Sequence, residues 1–239
     1  MPKPVTFTRE SILTASYEIF AREGLDSLSA RGIGSRIGSS TAPIYSCFSS
    51  IGEIRSELMQ ISLRKLIEYT EKEYTSDLFL NIGVGMLEFV KDYPRVYRAL
   101  FLDGDGNREI FEQFRIRNLA QMQKEKNLAA FSESQMSDVL RKLTVYTHGL
   151  AALICANMLD DTSTGNLAAL LDDAGAAIIG YSALCAGNME ILDAYRPSKE
   201  GCRDVRDLQP ITSAPNSALK SALNSALNSA PNSAHNEGE

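Results

Sequence analysis

The chain has 239 residues, 44% hydrophobic and 8% aromatic with no Trp, and a formal net charge of −6. Length and apolar content suffice for a sizeable core, and the acidic balance excludes a general nucleic-acid coat protein, which would be basic. No segment reads as an unbroken membrane span and the N-terminus lacks a signal-peptide core, so a cytoplasmic protein with no membrane partner is expected.

The first predicted element is a helix over residues 8–23, on which Ile12, Ala15, Ser16, Ile19 and Phe20 form one stripe. Gly24 ends it, and Leu25 and Leu28 pack beneath the turn. Residues 28–48 then describe two short helices joined at Gly38. Ser29 is placed to cap the first, because its hydroxyl can accept a bond from an unpaired first-turn amide. Ile33 and Ile37 face inward, and Gly38 supplies a positive φ. Ser40 is expected to cap the second helix, with Pro43 in its first turn, where a missing N–H does least harm. Ile44 and Phe48 pack back, which leaves Thr41, Ala42, Tyr45 and Ser46 facing outward. This is a helix-turn-helix whose second helix can present small polar groups to a DNA major groove. Ser50 and Glu53 have capping-box spacing, and a long helix follows with Ile54, Leu58, Ile61, Leu63, Leu66 and Ile67 buried.

Here the sequence resembles the TetR family of bacterial transcriptional repressors. The match runs over residues 8–58 and rests on the spacing of Ile12, Leu13, Ala15, Ile19, Phe20, Gly24, Ser29, Ile33, Gly38, Ser40, Ile44, Tyr45 and Phe48. Gly32 and Gly34 stand where the family often has an acidic residue and Ala, Cys47 where an aromatic or His is common, and Ile51 where a Lys or Arg often contacts phosphate. The resemblance implies an all-α homodimer with one N-terminal DNA-reading head per subunit. It also implies a C-terminal helical domain that dimerises and usually binds a small-molecule effector. Carried onto this chain, the DNA-binding set is Ser29, Ser40, Thr41, Ala42, Pro43, Tyr45 and Ser46. The expected domains are a head over 6–66, an effector-binding and dimerisation domain over 67–196, and a low-complexity tail over 197–239. The head (residues 1–60) holds six basic and six acidic side chains, so modest non-specific affinity for DNA is expected.

Beyond the head, helical spacing runs over residues 77–92, Tyr93-Pro94 breaks it, and Pro94 starts a short helix to 101. Residues 103–107 form a loop; no Glu arrives where a calcium loop would need one. A polar helix is predicted over 108–126, and two small-residue, apolar helices over 136–158 and 166–188. In the family such a pair commonly forms a four-helix bundle across a two-fold axis. His148-Gly149 resembles part of a Trp-His-Gly signature of one C-terminal subgroup. Tyr93, Tyr97, Phe101, Phe111, Phe114, Tyr146 and His148 are candidate linings of an apolar effector pocket, placed between Tyr93 and Cys155. The same aromatics also read as ordinary core, and His148 as a structural residue. From 197 a four-residue Ser-Ala repeat is too polar to build a core and is expected to be disordered.

Cys47, Cys155, Cys185 and Cys202 have no metal-ligand spacing, and with only His148 and His235 no catalytic constellation emerges. Oxidation of Cys47 on the second short helix is the one sharper thiol reading. No enzyme activity, cofactor or metal is expected. The leading expectation is a homodimeric repressor released from a palindromic double-stranded operator by an effector; the alternative is a helix-turn-helix fold serving as a protein-interaction module.

Overall fold

A capping box opens the chain's first helix: the Thr8 hydroxyl accepts from the Ser11 amide, and the Thr8 amide donates to Ser11 Oγ at 3.0 Å. The computed structural model describes residues 7–103 and 108–194, and all their regular elements are helical. Helix α1 (Arg9–Glu23) buries Ile12, Ala15, Ser16, Ile19 and Phe20, the predicted stripe, and Gly24 ends it at φ +96°. A 3-10 turn (Leu25–Ser27) leads to buried Leu28.

Ser29 caps α2 (Ala30–Ile37), its hydroxyl accepting from the Gly32 amide at 3.1 Å. Gly38 (φ 70°, ψ 34°) closes α2 in the left-handed region, as its position in the sequence suggested. A Cβ on Gly34 would lie 2.9 Å from the Ser39 carbonyl oxygen, so the turn folds onto α2 more closely than Ala allows. Helix α3 (Ala42–Cys47) corrects one expectation. Its N-cap is Thr41, not Ser40. Thr41 has a helical backbone instead of the extended one that aims a hydroxyl at the first-turn amides, and its side chain makes no capping bond. Ser40 Oγ reaches only the Ala42 amide, at 3.4 Å.

Helix α4 (Ile51–Thr70) starts at Ser50, whose hydroxyl accepts from the Glu53 amide. The reciprocal half of the expected box does not form, because the Glu53 carboxylate takes the Ser49 amide and hydroxyl at 2.7 and 2.8 Å instead. Helices α5 (Leu78–Asp92) and α6 (Pro94–Phe101) separate at Tyr93, as predicted. The polar helix α7 (Arg108–Met122) ends earlier than expected and is followed by a 3-10 turn (Lys126–Leu128). Helices α8 (Glu133–Cys155) and α9 (Thr164–Cys185) begin a few residues before the apolar pattern does, because their caps Ser132 and Ser163 lie in polar sequence outside it. A short α10 (Met189–Ala194) packs on α9.

One core runs from Ile12 and Phe20 through Leu58 and Leu66 to Phe89, Tyr97, Ala151 and Leu171, and a smaller one gathers Met122, Phe131, Val139, Ile179 and Ile191. Helix α4 passes unbroken through the boundary expected at 66. It meets α5 at backbone contact: a Cβ on Gly85 would lie 2.3 Å from the Tyr69 carbonyl oxygen and 2.7 Å from Thr70 Cα. The Tyr69 hydroxyl donates to Asp92 Oδ2 at 2.5 Å across the same junction.

Helix α9 is long and apolar enough by length and composition to cross a membrane, with mean hydropathy 1.4. Its Leu167, Leu171, Ile179 and Ala183 are nevertheless buried against the body, and Asp172 and Asp173 at its middle would oppose insertion. The readings made for residues 104–107 and for the 197–239 tail, including Cys202 and His235, lie outside the described residues.

Candidate nucleic-acid interface and ligand cavity

Helix α3 is pinned from below and bare above. Ile44 and Phe48 are buried, while Tyr45 is 55% exposed and Ala42 and Ser46 are exposed with it. Thr41 and Pro43 are half-buried at the start of α3, and Ser29, the α2 cap, and Ser40, in the turn before α3, are exposed. All seven predicted residues therefore lie along α2, its turn and α3. Their hydrogen-bonding capacity differs. The Ser46 hydroxyl donates to the Pro43 carbonyl at 2.7 Å, which leaves it free only to accept. The Tyr45 hydroxyl makes no hydrogen bond among the described residues and can do both.

Sequence reasoning missed Arg9. Its guanidinium lies 4.1 Å over the Phe48 ring, donates to the Cys47 carbonyl at 2.5 Å, and pairs with Glu53 at 2.6 Å and with Glu57. One side chain thus joins the start of α1, the end of α3 and the start of α4. The Arg9 guanidinium and the Ser49 donors hold the Glu53 carboxyl down at about 2. Arg36 pairs with Glu18, Arg22 with Glu23, and Arg55 stands 4.0 Å from Asp26. Among the described cations of residues 7–60, Arg31 on the first turn of α2 has no acidic partner within 4 Å and is exposed.

In the body, α5, α7, α8 and α9 enclose a cavity of about 110 Å³. Phe111, Phe114 and His148, three of the candidate residues, line it. Tyr97 and Phe101 stand behind His148: the Tyr97 hydroxyl is 2.6 Å from His148 Nδ1, and the Phe101 ring centroid is 5.1 Å from the imidazole. Burial pushes the Tyr97 phenol up and pulls His148 down to about 4, so both are neutral near pH 7. Tyr93 lies elsewhere, against Phe89 at 5.4 Å and Tyr69 at 6.2 Å, with Lys65 Nζ 4.4 Å over its ring. Tyr146 packs on the main core, outside the cavity wall, and the Cys155 thiol points at the Pro94 carbonyl.

The cavity also takes residues that the aromatic search passed over, chiefly Asn118, Thr144, Thr147, Met86, Leu143 and Leu171. Asn118 left a signal in the sequence. The inward stripe of α7 is Ile110, Phe114, Asn118 and Met122, a single amide at four-residue spacing among apolar side chains. Among the described residues no group of three or more His, Cys, Asp or Glu side chains is placed to hold a metal ion.

No protein-family model matches this chain, and no curated protein matches it in sequence. Solved structures do match in fold. A TetR-family transcriptional regulator from Streptomyces coelicolor aligns over 92% of this chain and 97% of its own, with a TM-score of 0.65 at 15% identity. A transcriptional regulator (TerR/AcrR family) from Aquifex aeolicus VF5 aligns over 68% of this chain and 94% of its own, with a TM-score of 0.51 at 19% identity. The chain has the all-α fold of these regulators.

Proposed function

We propose that the chain is a DNA-binding transcriptional regulator of the TetR type, acting in the cytoplasm as a homodimeric repressor. The observation that carries this reading is α3, anchored by Ile44, Phe48 and Arg9 while Tyr45 stands bare, in a fold shared almost end to end with a transcriptional regulator. In this reading residues 6–66 form the head and 67–196 the effector and dimerisation domain. Tyr45 and Thr41 contact phosphates and base edges, with Ala42 and Ser46 beside them.

A partner copy is supported by the outward apolar side chains of α8 and α9. Val145 (69% exposed), Leu153, Tyr181 (65%) and Leu184 face away from the body on the two longest described helices. Two copies related by a two-fold axis would read a palindromic operator. The effector site is the cavity between α5, α7, α8 and α9. The coupling route is short: α5 lines the cavity through Leu80, Gly83 and Met86, touches α4 at Gly85, and α4 carries the head. An effector that favours one α4 orientation by ~1–3 kcal/mol weakens operator binding ~5–150-fold, and operator weakens effector binding equally.

The deciding experiment is binding of the purified protein to duplex DNA flanking its own gene. Tight binding, lost in Tyr45→Ala while the fold is kept, supports the reading. Failure to bind any such duplex would favour the protein-interaction module instead.

A further inference from the structure

The buried stripe of α7 contains one residue that packing alone does not explain. Asn118 is 7% exposed, lines the cavity, and its Oδ1 has no hydrogen-bond partner. Folding gains nothing from an unpaired amide among Phe, Leu and Met side chains, so its presence calls for an absent partner. The amide turns about its last torsion at little cost, so it can present a donor or an acceptor to the cavity.

His148 is the second polar group on the wall. The Tyr97 hydroxyl is fully buried, and the Nδ1 of His148 is its only hydrogen-bond partner among the described residues. Its proton must therefore go to Nδ1, and the neutral imidazole carries its own hydrogen on Nε2. Among the described residues that N–H forms no hydrogen bond. Phe111, whose ring lies 5.8 Å from the imidazole, sits seven residues before Asn118 on α7. At 1.5 Å per residue Phe111, beside the imidazole, and Asn118 are roughly 10 Å apart along α7, so about two helical turns of cavity wall separate the imidazole's neighbour from the amide. One benzene ring with polar substituents para to each other, and a hydrogen bond of about 2.9 Å at either end, spans such a gap.

Size and charge narrow the class further. A cavity of about 110 Å³ limits a ligand to a single ring at most, since an engineered cavity of ~150 Å³ holds benzene. Phe111, Phe114, Met86, Leu143 and Leu171 supply apolar walls. The carboxylates at the rim are Asp77 and Asp172, and Arg115 there is already bound by Glu112 at 2.5 Å. An anion meets no free cation.

We propose that this cavity is a receptor for a neutral single-ring phenol with a hydrogen-bond acceptor para to the hydroxyl. The hydroxyl donates to the Asn118 amide oxygen, the para acceptor receives the His148 Nε2–H, and the ring lies against Phe111 and Phe114. This rests on the cavity being the effector site, as the regulator reading has it, but binding is measurable without DNA.

The test is calorimetry of the full chain with 4-methoxyphenol, phenol, toluene and 4-hydroxybenzoate. The wild type is expected to bind 4-methoxyphenol, and to bind the carboxylate at least about tenfold more weakly. Asn118→Leu, nearly equal in volume, should lose about tenfold in 4-methoxyphenol affinity, keep or raise toluene affinity, and melt at the wild-type temperature or above. His148→Asn leaves an acceptor for Tyr97; it should cost 4-methoxyphenol about tenfold and phenol little. Unchanged 4-methoxyphenol affinity in both variants, or preference for the carboxylate, overturns the proposal, a structural water then being Asn118's partner. Operator binding of the ligand-free protein is measured separately, so loss of that result removes the regulator reading and leaves the cavity's chemistry standing.

Discussion

In the head, most charged side chains close on one another, although the buried Tyr17 hydroxyl and Arg55 Nε have no hydrogen-bond partner among the described residues; in the cavity wall an unpaired group faces ligand-sized space. Arg9 closes on Glu53, Glu57 and the Cys47 carbonyl, Arg36 on Glu18, and Ser46 on the Pro43 carbonyl. Beyond α4, whose 20 residues span about 30 Å, Asn118 Oδ1 and the Nε2 of His148 form no hydrogen bond among the described residues. The difference is one of preorganisation. A surface that must dock on a rigid duplex gains from being fixed beforehand. A site that must respond to a ligand gains from leaving interactions unmade, since only a ligand that completes them in one state shifts an equilibrium.

The largest expected effect lies where the two regions join. Gly85→Ala would place a methyl group 2.3 Å from the Tyr69 carbonyl oxygen, against backbone on both helices. Neither α4 nor α5 can move without disturbing Phe89, Leu66 and Val84, all fully buried. A destabilisation of at least about 3 kcal/mol is expected, above the usual range for overpacking, measured by chemical denaturation. A change under about 1 kcal/mol would mean the helices slide freely at this crossing, and the rigid link between cavity and head would be lost from the comparison.

Acid sharpens the contrast because the two regions titrate in different windows. His148 has its pKa lowered by burial to about 4, against about 6.5 in an unfolded chain. The unfolded state therefore binds more protons between those values. The resulting stability, up to about 3 kcal/mol, is complete above pH ~6.5 and is lost as pH falls toward 4. Glu53 in the head, held at about 2 chiefly by Arg9, loses its contribution only below the ordinary carboxylate range. Denaturation of wild type and His148→Asn at pH 7 and pH 4.5 isolates the cavity term. Equal losses in both proteins would place the acid sensitivity outside His148.

The head was the more legible region, and the reason is local. Caps, a left-handed glycine and four-residue spacings are written within a few residues of the structure they produce, so Ser29, Ile33, Gly38, Ile44 and Phe48 were readable in order. The Ser40 cap was misplaced because Ser and Thr stand side by side there, and only the backbone angle of Thr41 decides between them. The cavity depends on four helices meeting, which no local pattern records. Aromatic content pointed to Phe111, Phe114 and His148 but equally to Tyr93 and Tyr146, which pack elsewhere. Arg9 and Gly85 act across 38 and more residues of sequence or by an absent side chain, and neither leaves a periodic trace.

The smallest predicted effect tests how thoroughly the head has neutralised itself. Each phosphate neutralised by a cation adds about 0.9 to the slope of log affinity against log salt. With Arg9, Arg22, Arg36 and Arg55 facing carboxylates, Arg31 is the described cation of residues 7–60 left to do this. A dimer with one such contact per head would show a slope near −2 from this source, a roughly tenfold loss of affinity between 50 and 200 mM salt. Arg31→Ala should remove most of that slope, whereas Tyr45→Ala should lower affinity at every salt concentration and leave the slope in place. Fluorescence anisotropy on an operator duplex at several salt concentrations measures both. A wild-type slope several times steeper, unchanged in Arg31→Ala, would show that the ion pairs of α1 and α2 open on DNA, and the head would then be no more preorganised than the cavity.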